Sequence, residues 1–169
     1  VIPTRSDDTG QISQYTSVVL VVQERLSKWP DEGLTVYRNR FEDRAQELLT
    51  AAHNNRDELQ KLFTQFFATE SGKTAGLRLL SLGLERGEFA SAAWVGKRLL
   101  SHHPSLQVER PMVLFKTALA EHLAGNNAGA RSRLDELKQR FPEAAGTLRG
   151  QDVKLAVALE QELSSQPSL

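Results

Sequence analysis

One pattern of residues occurs twice in this chain, 38 positions apart. Gly87 pairs with Gly125, Ala92 with Ala130, Leu99 with Leu137 and Pro104 with Pro142. A fixed period of this size marks a stacked helical repeat, in which each unit buries its apolar face against its neighbours. In each copy the glycine permits a left-handed turn between two helices. The small alanine lets the helix axes approach closely, and the proline ends the second helix. Short connections make neighbouring helices antiparallel. The spacing therefore predicts an all-α fold, a right-handed α-α superhelix of about eight antiparallel helices.

Apolar periodicity extends this reading along the chain. From Ser13, the residues Tyr15, Val18, Val19, Val22, Leu26 and Trp29 define one helical face, stopped by Pro30. The valine run is also compatible with a strand, but a pattern lasting four turns favours a helix. A second helix carries Leu34, Tyr37, Phe41, Ala45, Leu48 and Ala52, and a third Leu59, Leu62, Phe63, Phe66 and Phe67. Ser71 is expected to cap the fourth helix, and Asn127 the seventh. Pro111 suits a first helical turn, and a last helix holds Val153, Ala156, Val157, Leu159 and Leu163. No strand is expected. Residues 1–12 read as a flexible lead-in, 13–164 as one helical domain with its clearest repeats at 73–104 and 111–142, and 165–169 as a tail or linker.

Composition excludes several function classes. Lys plus Arg is 21 and Asp plus Glu is 21, so no basic excess points to nucleic acid. With no cysteine there is no thiolate catalysis, disulfide or Cys-ligated metal. The apolar run Val18–Val22 is far too short to cross a bilayer, so direct membrane insertion is not expected. The start at Val1, with no signal peptide, leads us to expect a processed or trimmed segment.

The repeat resembles the tetratricopeptide family. Gly87, Phe89, Ala92 and Pro104 match its turn glycine, aromatic, alanine and terminal proline, and Gly125, Ala130 and Pro142 do so again. Leu79 matches the first-helix leucine. The chain departs from the family at Gly76, Leu80, Gly96 and Leu99, and its period is 38 where the family has 34. A degenerate third copy is expected at Tyr37–Ala52 and Arg56–Phe67, turning near Asn54. A narrower resemblance rests on Trp29-Pro30-Asp31-Glu32-Gly33, Val36-Tyr37-Arg38, Arg40-Phe41-Glu42, Phe66-Phe67-Ala68-Thr69 and Leu84-Glu85-Arg86-Gly87-Glu88-Phe89. These look like the helical segment that precedes a β-propeller of the pyrroloquinoline-quinone-binding-like type in large bacterial envelope proteins. That resemblance implies a periplasmic or envelope-associated location, against a soluble cytoplasmic one otherwise. Any quinone chemistry would then lie outside this chain.

No constellation here reads as catalytic. Ser71-Gly72-Lys73-Thr74 looks like the end of a phosphate loop, but Phe67 stands where the first glycine belongs and a helix precedes it. Lys73 is expected in water. Lys97–Arg98 is read as a solvated spot. His53, His102, His103 and His122 lack zinc spacing; His102 and His103 sit where a helix dipole favours positive charge. Glu136 and Arg140 form an i,i+4 pair. The phenylalanines at 63, 66 and 67 read as core. We expect no enzyme activity, no cofactor and no metal.

The expected function is a non-catalytic scaffold for protein or peptide. The tetratricopeptide resemblance puts the first helix of each pair on a concave face. Carried over, its inner positions are Leu77, Arg78, Ser81 and Glu85 in one copy and Phe115, Lys116, Leu119 and His122 in the next. The alternative is a structural domain that docks on the chain's own downstream propeller or forms a homodimer.

Overall fold

The computed structural model describes residues 2–6, 12–16, 18–148 and 150–165. Among them are eight helices: α1 (Val18–Leu26), α2 (Asp31–Ala52), α3 (Arg56–Gln65), α4 (Glu70–Glu85), α5 (Phe89–His102), α6 (Arg110–Leu123), α7 (Asn127–Arg140) and α8 (Leu155–Ser164). The chain is all-α and its helices pack sequentially on their neighbours, compatible with a helical repeat. Three pairs follow one another: α2–α3, α4–α5 and α6–α7. Each first helix packs on its own partner and on the first helix of the next pair, and each second helix packs on the next first helix. Helix α8 occupies the place of a fourth first helix, against α6 and α7.

The 38-residue period is visible as duplicated hydrogen bonds. Arg86 N donates to Leu82 O, Gly87 N to Leu84 O and Glu88 N to Gly83 O; Ala124 N, Gly125 N and Asn126 N repeat these bonds to Ala120 O, His122 O and Glu121 O. Gly87 and Gly125 hold φ of 75° and 85°, the left-handed conformation that a side chain disfavours. The early pair turns just before Asn54, as the degenerate copy predicts, but there His53 takes φ 46° and ψ −113° with no glycine to relieve it.

One apolar core runs from Ala45 on α2 to Leu159 on α8. Phe63, Leu80, Leu99, Leu114, Leu137 and Leu159 are fully buried in it. Charged groups tie the pairs together across this core. The buried Glu121 carboxylate accepts from Lys97 Nζ at 2.9 Å and Asn126 Nδ2 at 3.2 Å, with Arg133 Nε 3.6 Å away, joining α5, α6 and α7. Arg110 Nη2 reaches Glu136 at 2.7 Å, and Glu136 also meets Arg140 at 3.3 Å as the spacing predicts.

Several sequence expectations are corrected. The expected absence of strands fails, because two antiparallel hairpins are present. β1 (Ile2–Ser6) pairs with β2 (Ile12–Thr16), and β3 (Ala145–Leu148) with β4 (Gln151–Lys154). The second hairpin closes through a two-residue loop whose Gly150 has φ 80°, the backbone that such loops require. Its strands are four residues long, too short for a period-2 pattern to stand out. Helix α1 begins at Val18, not Ser13, because Ser13–Thr16 belong to β2; the valine run is helical. Val153 lies in β4, ahead of α8. The rest of the lead-in and residues 166–169 of the tail lie outside the described residues.

The caps also shift. Thr69, not Ser71, caps α4: its hydroxyl accepts from Gly72 N at 2.9 Å, while Ser71 is buried and donates to Gln46 Oε1. Asn126, not Asn127, caps α7 by accepting from Gly129 N. Lys97 and Arg98 do not simply face water. Lys97 pairs with Glu121, and half-buried Arg98 donates to Gln23 Oε1 at 2.8 Å, fastening α1 to α5.

Candidate functional site

The candidate site is the exposed side of the first helices α2, α4 and α6. On α4, Arg78, Ser81 and Glu85 recur every three to four residues and share one stripe, with Leu77 one turn before Ser81 beside them. Together with Asn54, Thr74 and Leu82 they line a shallow groove. Beside it, α2 presents Asp43, Gln46, Glu47, Thr50 and Ala51, with His53 at its end, along a second open depression.

Hydrogen bonds hold the stripe to both neighbours. Arg78 Nη1 donates to the His53 carbonyl at 3.2 Å, so the strained turn after α2 orients a cation on α4. Lys116, from α6, donates to Ser81 Oγ at 2.7 Å, and the Ser81 hydroxyl in turn donates to Leu77 O at 3.1 Å. Burial pushes the Lys116 ammonium below its ordinary pKa, opposed by the nearby Glu85 charge. Every interaction of Lys116 with the described residues is accounted for by Ser81 and this attraction. An ammonium carries three donors, so two are left without a hydrogen-bond partner among the described residues, at the edge of the groove that Ser81 lines.

The other second-copy residues fall elsewhere. Phe115 is a correction: at 3% exposure it belongs to the core, because α6 is packed by α4, α5, α7 and α8 and only a narrow strip remains open. Leu119 is half-buried against the same core. His122 sits in a separate polar hollow with Asn127, Arg131, Leu163, Ser164 and Ser165, its ring Nδ1 2.7 Å from Asn127 Oδ1. The structure thus brings together Leu77, Arg78, Ser81, Glu85 and Lys116, and leaves Phe115, Leu119 and His122 apart. Asn54, Thr74 and Leu82 were not singled out from the sequence, although Thr74 lies one turn before Arg78 on the same stripe.

The phosphate-loop look-alike is structural. Ser71, Gly72 and Lys73 are buried inside α4. Lys73 is not in water: its Nζ reaches Glu70 at 2.7 Å, Glu109 at 3.0 Å and Ser105 O at 3.2 Å. Burial opposes its charge, but the two carboxylates outweigh burial and raise its pKa. His103 is likewise buried, 5.3 Å from the Phe67 ring, and burial pushes its pKa down to about 4. Burial also lowers the pKa of His102, so at both histidines burial opposes the helix-end charge expected there. Arg38 completes this layer by donating to Ala68 O at 3.0 Å and to the Ser105 hydroxyl, locking the two inter-pair loops together. Among the described residues no group of three or more His, Asp or Glu is placed to hold a metal ion. No described helix is long and apolar enough to cross a membrane.

A second surface stands out on α1. Val18, Val19, Val22 and Trp29 are exposed and, with Leu26, Tyr37, Phe41 and Phe66, line an apolar groove without a charged residue. Exposed apolar surface gathered in one place marks contact sites. Compared with known proteins, the chain matches no family model, no curated sequence and no solved structure.

Proposed function

We propose that this chain is a non-catalytic interaction scaffold of tetratricopeptide type, which takes an extended segment of a partner protein along α2, α4 and α6. The observation that carries this reading is the open stripe of α4, where apolar, hydroxyl and charged side chains gather beside a half-buried Lys116 that makes no ion pair with a carboxylate among the described residues. Stacked helix pairs use such continuous inner surfaces to collect partners. The narrower resemblance adds that the scaffold belongs to a larger bacterial envelope protein.

The test is selection of a randomised heptapeptide library on the protein, with competition by Arg78→Glu/Lys116→Glu. The reading expects peptides that bind the parent and not the double variant, whose melting temperature stays unchanged. Peptides indifferent to that variant would contradict it.

The apolar groove favours a second reading, in which the helices dock on the chain's own downstream propeller or on another copy. Sedimentation of the parent and of Val22→Asp separates the two copies' case. Self-association abolished by Val22→Asp supports it, and a monomer at all concentrations removes it.

A further inference from the structure

The α4 stripe has a charge order that restricts what an extended segment must carry. Arg78, Ser81 and Glu85 occupy successive turns of one helix face. Lys116 reaches in from α6 to the level of Ser81. Cationic donors therefore stand at the Arg78–Ser81 level and an exposed carboxylate stands at Glu85, one turn further along. Arg78 spends one donor on the His53 carbonyl and Lys116 one on Ser81. Neither cation makes a direct hydrogen bond or ion pair with a carboxylate among the described residues, although Glu85 attracts Lys116 from a distance.

We infer that this groove selects a peptide in which an acidic residue lies two positions from a basic one, the acid held by Arg78 and Lys116 and the base by Glu85. The inference rests on the scaffold reading above. The spacing follows from elementary geometry. Ser81 to Glu85 is four residues of helix, which at a rise of about 1.5 Å per residue spans roughly 6 Å. Residues i and i+2 of an extended chain project to the same face and lie roughly 6.6 Å apart. A carboxylate between Arg78 and Lys116 completes two half-used cations in a partly desolvated strip, where charge-assisted bonds are stronger than in water. A second acid at the i+2 position would meet Glu85 and be repelled, so a uniformly acidic run fits less well. Glu85 thus supplies rejection as well as attraction.

The experiment reads the sequences enriched from the heptapeptide library on this 169-residue chain, then titrates the most enriched peptide by fluorescence anisotropy. The expected result is enrichment of Asp or Glu two positions from Lys or Arg, in one fixed order. Lys116→Gln and Arg78→Gln should each weaken that peptide by about tenfold, as loss of a charge-assisted bond implies. Glu85→Gln should weaken it too, and should not weaken the same peptide with alanine at its basic position, since the carboxylate that competes for Lys116 is then gone. Thermal melts confirm that each variant folds. Peptides that occupy α4 by amide-shift mapping but carry no such pair, or that ignore Lys116→Gln, overturn the inference and leave the scaffold reading standing. A library yielding no peptide on this face overturns both.

Discussion

A β-carbon placed on Gly83 would lie 2.9 Å from the Ala92 Cβ, so α4 and α5 cross with their backbones nearly touching. Both residues are buried, Ala92 at 1% exposure, as is its counterpart Ala130 at 1%. Ala92→Leu and Ala130→Leu should therefore overpack the pair contacts and cost about 1–3 kcal/mol each. For a chain of this length that lowers the melting temperature by roughly 2–4 °C per kcal/mol. Unchanged melts would refute the repeat register.

The three turns differ in a way that predicts opposite outcomes for opposite substitutions. Gly87→Ala and Gly125→Ala force a side chain into positive φ and should each destabilise by about 1–2 kcal/mol. At the first turn, His53 already sits at φ 46° and ψ −113°. His53→Gly relieves that conformation and should stabilise the fold by up to about 1 kcal/mol. Chemical denaturation of the three variants checks the signs; a destabilised His53→Gly would mean that the imidazole makes contacts that outweigh the strain.

Helix α4 owes its start to Thr69. Thr69→Ala removes the acceptor for Gly72 N and should cost about 1 kcal/mol. Ser71→Ala, which removes the hydroxyl and with it the bond to Gln46, should cost less. Equal losses in urea unfolding would return the cap to Ser71.

Stability should fall in mild acid because of His103. Its folded pKa, lowered to about 4 by burial, lies below the ordinary 6.5 of the unfolded chain. Between these values the unfolded state binds the extra proton, so the contribution is present above pH 6.5 and is lost as the pH falls toward 4. The full effect is on the order of 3 kcal/mol. Melting curves from pH 7 to pH 4 should show this decline, and His103→Phe should flatten it. An equally steep decline in His103→Phe would assign the effect to other groups.

Much of this architecture was legible because the repeat writes it in backbone chemistry. Gly87 and Gly125 are needed where φ is positive, and Ala92 where two helices cross, so their shared offset locates both turns and both pairs. The hairpin at 145–154 was not legible: its strands have only one turn glycine to mark them, and the neighbouring α8 pattern runs into Val153. The caps slipped because Thr69 and Ser71, two residues apart, and Asn126 and Asn127, one apart, offer equivalent chemistry. The tetratricopeptide resemblance, carried over position by position, supplied the α4 stripe, and Arg78, Ser81 and Glu85 hold together there because helical spacing alone keeps them on one face. The same carry-over misplaced Phe115, because the face that α6 buries depends on α8, which no local pattern reveals. The apolar groove of α1 was hidden for a similar reason: its valines define one helical face, and whether that face is covered is decided by which elements pack against it.

The most direct test of the central claim is amide chemical-shift mapping of the protein titrated with a peptide enriched from the library. Binding along the inner face predicts that Leu77, Arg78, Ser81, Glu85 and Lys116 shift together, with Trp94 on α5 unmoved. Shifts confined to Val18, Val22 and Trp29 would contradict that account and assign recognition to the apolar groove of α1.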